Sequence, residues 1–122
     1  MAENEKIVYI ATHAEEDAFR ATVPFVMANA AQAMDVEAVV ALQGTSVFIA
    51  MKGYAEHVHA SALPPLKQLL DSFLEAGGKL LVCIPCLKER KLEESDLIPG
   101  AVLTAAGNLT QEILTAKATV VY

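Results

Sequence analysis

The stretch Lys79-Leu80-Leu81-Val82-Cys83-Ile84-Pro85-Cys86 decides how this chain is read. From Lys79 to Ile84 the apolar run has no polar alternation, which marks a strand buried on both faces. Such strands belong to parallel sheets covered by helices. Pro85 cannot extend the strand but suits the first turn of a helix. The chain therefore passes from sheet to helix around Cys83, and a thiol stands at the turn. In a parallel sheet the loops leaving the carboxyl ends of the strands form the ligand crevice. There Cys83 would meet unpaired N–H groups and the positive end of the helix dipole. Both predict a thiol more acidic than the ordinary value of about 8.5. Cys86 falls in the same turn, with Arg90 four residues on along the same face. Lys88 and Lys91 add positive charge nearby, partly offset by Glu89, Glu93 and Glu94.

Working outward, apolar runs alternate with helical patterns, the signature of a parallel sheet packed with helices. Upstream, Leu66, Leu69, Leu70, Phe73 and Leu74 line one helical face, with Pro64 and Pro65 at its start and Gly77-Gly78 at its end. Lys6 to Ala11 reads as the first strand and Val36 to Leu42 as the second, closed by Gly44. Thr12 and Glu15 form a capping box that would start a helix. Pro24 either kinks that helix or stands in the first turn of a second one capped by Thr22. Thr45 to Met51 reads as one short helix, followed by a loop through Gly53 to Ser61. Downstream, Gly100 to Thr104 is a fourth strand. Asn108 with Gln111 caps a last helix whose Leu109, Ile113 and Leu114 face inward, and Ala118 to Tyr122 is a fifth strand.

The chain of 122 residues is one domain, 1–122, large enough to bury a core without disulfide or metal. Its hydrophobic content of 54% and mean hydropathy of +0.38 exceed the usual soluble average. Apolar surplus of this kind ends in subunit interfaces, so a homo-oligomer is expected. A net charge of −6 and a pI near 4.9 argue against nucleic acid as a partner. The acidic start Glu3-Asn4-Glu5 is not a secretory signal, and the apolar stretch Val23 to Met34 is too short for a membrane span. These features point to the cytoplasm, with no membrane partner. The two cysteines, three positions apart, cannot staple distant segments, so they point to redox, sulfur or metal chemistry.

The spacing Cys83-x-Pro85-Cys86 invites a thioredoxin reading, but too little chain follows Cys86 for that fold. From Gly77 to Tyr122 the sequence instead resembles the DsrE/DsrF-like family of small sulfur-handling proteins. The matching residues are Gly78-Lys79-Leu80-Leu81-Val82-Cys83, Cys86-Leu87-Lys88-Glu89-Arg90-Lys91-Leu92 and Asp96-Leu97-Ile98-Pro99-Gly100-Ala101. A weaker match runs through the first strand, the alanine-rich helix from Phe25 to Met34 and the strand leading to Gly44. The resemblance implies a three-layer α/β/α sandwich of flavodoxin-like architecture around a mostly parallel five-stranded sheet. It implies assembly into dimers, trimers or hexamers, and sulfur donor and acceptor proteins as partners. It also implies that Cys83, and not Cys86, accepts sulfane sulfur as a persulfide. Relatives often carry glycine near position 91 and just before the second strand, where this chain has Lys91 and Asp35.

On this reading Cys83 is the nucleophile and Cys86 an assisting or resolving thiol that releases sulfur by forming a disulfide. His13 after the first strand, and His57 and His59 after the second, could reach the same rim, with His13 and His57 as candidate proton donors or thiolate partners. Cys83, Cys86, His57 and His59 would suffice in number for tetrahedral zinc, but the spacing is irregular and no metal or other cofactor is expected. Gly44-Thr45-Ser46 lacks the fuller glycine pattern of a phosphate loop and reads as a plain turn. Glu15, Glu16 and Asp17 read as first-turn helix stabilisers. Two other readings stand beside the sulfur carrier. One is a thiol redox protein cycling a Cys83–Cys86 disulfide, and the other is a non-catalytic oligomeric assembly subunit.

Overall fold

Each strand hands over to a helical connection at its carboxyl end, so the next strand enters the sheet in the same direction. The computed structural model of the chain describes residues 5–122. In order these form β1 (Lys6–Ala11), α1 (Ala18–Ala33), β2 (Glu37–Leu42), α2 (Leu66–Glu75), β3 (Lys79–Cys83), α3 (Ile84–Glu89), β4 (Ala101–Thr104), α4 (Ala106–Leu114) and β5 (Ala118–Val121). Short 3-10 segments fill the connections, notably Glu15–Asp17, Gly44–Ala50 and Ala55–His57. The sheet order is β4-β3-β2-β1-β5, and every pairing is parallel.

That order fixes the layers. From β1 to β4 the chain crosses the sheet one strand at a time in one direction, and right-handed crossovers put α1, α2 and α3 on one face. The return from β4 to β5 runs the other way and puts α4 on the opposite face. The burial follows suit. Phe25, Leu66, Leu70, Phe73 and Leu87 pack with Tyr9, Val40, Leu42, Leu80 and Val82, whereas Val8, Ile10, Val39, Ala41 and Leu81 turn towards Leu109. The successive residues Leu80, Leu81 and Val82 thus feed two cores, which is why β3 lacks polar alternation. Phe25 and Phe73 meet edge to face, ring centres 5.6 Å apart.

Several local expectations are corrected. Thr12 does not cap a helix; its hydroxyl donates to Tyr122 O at 2.6 Å, tying the end of β1 to the residue after β5. The cap of α1 is Asp17, whose carboxylate accepts from Arg20 N at 3.1 Å. Pro24 starts no second helix. It lies buried inside α1, flanked by Ala21, Phe25 and Ala28, whose packing carries the helix past the missing N–H. Asn108 stands inside the first turn of α4, which begins after Ala105. Leu114, the last residue of α4, is 74% exposed rather than inward.

The α4 face is the thinner cover. Val102, Leu114, Val120 and Val121 remain exposed there and along the edge strands β4 and β5, so much of the apolar surplus in the composition lies at the surface. Beneath α4, Glu112 bonds Lys6 Nζ at 2.8 Å and Lys79 Nζ at 2.7 Å, joining the starts of β1 and β3 to the helix. Burial raises the Glu112 carboxyl, but the two ammonium groups outweigh it and hold it below its ordinary value. Among the described residues no helix is long and apolar enough to cross a membrane.

Candidate sulfur site

Register places the site. Leu42 pairs with Val82, and Cys83 pairs with Thr104, so the turn after β2, Cys83 and the start of α4 meet at one carboxyl rim. Cys83 ends β3 and sits at the entry of α3 with extended backbone, and Pro85 lies in the first turn as expected. A cleft of about 110 Å³ opens beside it, lined mainly by Leu42, Gln43, Cys83, Pro85, Thr104 and Leu109. The wall is largely apolar, and half-buried Cys83 brings a thiol to it. Larger cavities occur elsewhere, such as one of about 320 Å³ around Gln32, Asp35 and Gly77, but that one contains no cysteine or histidine. The small cleft is the one that Cys83 lines.

The two thiols differ in their partners. Gly44 N–H donates to Cys86 Sγ at 3.3 Å, across 42 residues of sequence. Gly44 can aim its amide there because it adopts φ of +58°, a left-handed conformation open to glycine. Arg90 does not reach a thiol; its guanidinium donates to Cys86 O at 3.1 Å. Cys83 is not the acidified thiol that its position suggests. Burial first, and then the Cys86 thiol beside it, push the Cys83 thiol up, while the Cys86 amide and the Arg90 charge pull less strongly the other way. The helix start is local in sequence, whereas the apolar wall and the neighbouring sulfur that outweigh it come together only in the fold.

His13 lies on the same rim, and it is not alone. Its Nδ1 meets Glu16 Oε2 at 2.7 Å. Glu16 Oε1 accepts from Ala14 N at 2.8 Å and from the Thr45 hydroxyl at 3.1 Å, and that hydroxyl also reaches Thr12 O at 3.2 Å. Burial would raise the Glu16 carboxyl, yet the donors from Ala14, His13 and Thr45 bring it below its ordinary value. Glu16 is therefore more than the first-turn helix stabiliser that the sequence suggests, and Gly44-Thr45 is more than a plain turn. Neither role carries a sequence signal, because both depend on β1 and β2 lying side by side. His57 and His59 do not join. His57 is exposed on the 3-10 turn Ala55–His57, and His59 Nε2 bonds Leu63 O at 2.9 Å. Among the described residues no three His, Cys, Asp or Glu side chains cluster to hold a metal ion, so Cys83, Cys86, His57 and His59 form no ligand set.

Comparison with known proteins adds family to geometry. A model described as the DsrE/DsrF-like family matches residues 5–122. An uncharacterized protein of Methanocaldococcus jannaschii, MJ0989, is 35% identical over 74 residues, a match spanning 61% of this chain and 61% of that relative. Among solved structures, the ychN protein of E. coli superposes with a TM-score of 0.75 at 18% identity, covering 97% of this chain and 99% of that one. The protein of unknown function MTH1491 from Methanobacterium thermoautotrophicum gives 0.75 at 13% identity, covering 98% and 100%. At such identities the two structures attest the fold alone.

Proposed function

The chain belongs to the DsrE/DsrF-like family, and from that premise we propose that it carries sulfur as a persulfide on Cys83 and passes it to a partner protein. The observation that carries this reading is the placement of Cys83. It is a half-buried thiol at the carboxyl end of β3, between β2 and the edge strand β4, opening into a small apolar cleft beside a second thiol. An apolar cleft excludes water from the carried sulfur, and a thiolate formed there attacks a sulfane donor directly. Cys86, three residues on, acts as the resolving thiol: its attack on Cys83 Sγ of the persulfide forms a disulfide and expels the outer sulfur.

The partners on this reading are a sulfur donor, a sulfur acceptor and further copies of the chain. The exposed Val102, Leu114, Val120 and Val121 support self-assembly, since isolated soluble domains rarely leave such apolar surface open. Thiol chemistry of this kind suits the cytoplasm, where cysteines stay reduced.

The test is intact-mass spectrometry after exposure to inorganic polysulfide, with Cys83→Ser and Cys86→Ser in parallel. The unaltered chain and Cys86→Ser gain sulfur; Cys83→Ser gains none. Because burial holds the Cys83 proton, loading accelerates as pH rises through and beyond the ordinary thiol range. Equal loading of Cys83→Ser, or none on the unaltered chain, overturns the proposal.

A further inference from the structure

The resolving step needs a proton acceptor, and the rim contains one that is already oriented. An ionised carboxylate only accepts hydrogen bonds, so the 2.7 Å contact between Glu16 Oε2 and His13 Nδ1 fixes the imidazole hydrogen on Nδ1 and leaves Nε2 as the free lone pair. Glu16 is itself held on its other oxygen by Ala14 N and the Thr45 hydroxyl, so the ring is braced from two chain segments. Thr45 directly follows Gly44, whose amide holds the Cys86 sulfur. The braced histidine and the resolving thiol are thus tied to adjacent residues of one turn. Around this rim stand Glu15 on the histidine's own segment, Tyr54 beyond β2, Cys83 and Arg90 on β3 and α3, and Tyr122 after β5.

We propose that His13 is the proton-transfer group of the dithiol, with Glu16 and Thr45 as its positioning residues. The proposal rests on the persulfide reading above for its reaction, though not for its geometry. His13 Nε2, directly or through one water, takes the proton of the Cys86 thiol. The Cys86 sulfur anion attacks Cys83 Sγ; the Cys83–Cys86 bond forms, and the bond to the outer sulfur breaks with its electron pair leaving on that sulfur. The imidazolium returns its proton there, and hydrosulfide departs. The two cysteine sulfurs are oxidised to a disulfide, and the sulfane sulfur is reduced to hydrosulfide, so the step needs no outside oxidant or reductant.

The experiment loads the full chain with inorganic polysulfide, removes the excess and follows hydrosulfide release in a single turnover across pH. His13→Asn releases about 100-fold more slowly than the unaltered chain, with a pH profile of changed shape. Glu16→Gln shows a smaller loss, since a neutral amide no longer fixes the imidazole hydrogen on Nδ1. Thr45→Val shows the smallest loss. A merely structural role would lower the amount of active protein without moving the profile. A second arm alkylates Cys86 with iodoacetamide in the unloaded chain, so it reads the dyad even if Cys83 accepts no sulfur. There His13→Asn and Glu16→Gln shift the pH dependence of the Cys86 rate. Unchanged release and alkylation profiles in both variants overturn the inference, whereas a failure of the unaltered chain to load overturns only the persulfide reading.

Discussion

The two ends of the parallel sheet use the same backbone groups to opposite effect. Away from the carboxyl rim, three helices close their last carbonyls with a matching pair of hydrogen bonds. After α1 these are Val36 N to Ala31 O and Asp35 N to Gln32 O; after α2, Gly78 N to Phe73 O and Gly77 N to Leu74 O; after α3, Leu92 N to Leu87 O and Lys91 N to Lys88 O. Glu112 closes the starts of β1 and β3 in the same spirit. At the carboxyl rim the polar groups are directed at side chains that can react. Gly44 N–H is directed at a cysteine sulfur, and the Glu16 carboxylate at an imidazole. One end satisfies its groups internally and supplies stability; the other holds them against a thiol and an imidazole.

That comparison predicts that substitutions at the capped end change stability and leave the sulfur untouched. The largest effect is expected at Gly78, where an added Cβ would fall within the Phe73 ring that anchors the larger core. Gly78→Ala should cost about 3 kcal/mol in urea unfolding, while polysulfide loading per folded chain stays at the wild-type level. Loading that falls along with stability would break the comparison. Smaller and of opposite sign are the changes at Lys91 and Asp35. Both adopt left-handed backbone, with φ of 57° and 61°, at the position after a helix where glycine is usual. Lys91→Gly and Asp35→Gly should each gain about 0.5–1 kcal/mol, Asp35 less because aspartate tolerates that conformation better than lysine. A loss of stability in both would show that their side chains do more than fill a cap.

The same two positions show how much was legible beforehand. The resemblance leads one to expect glycine at both, and a left-handed cap is the physical meaning of such a glycine. The sheet itself could be read from the unalternating run of β3 and the spacing of Leu66, Leu70 and Phe73 in α2, because burial on two faces, or on one helical stripe, leaves a pattern. Cys83 could be placed for the same reason. The acids Glu15, Glu16 and Asp17 could not be told apart, since each has the chemistry of a cap. Only the arrival of Thr45 on the neighbouring strand's turn pulls Glu16 towards His13 and leaves Asp17 to cap α1. The hold on Cys86 was invisible because its donor is a main-chain amide. The burial that raises the Cys83 thiol leaves no local pattern, because its apolar wall comes from β2, the start of α4 and α3 together.

A carrier at Cys83 requires that added sulfur lodge there before it reaches any other thiol. Peptide-level mass spectrometry of the unaltered chain, taken immediately after brief polysulfide exposure and alkylation, reads that position directly. The added sulfur should be found on Cys83, with Cys86 carrying only the alkyl group. Sulfur on Cys86 with Cys83 unmodified would contradict the assignment of carrier and resolver.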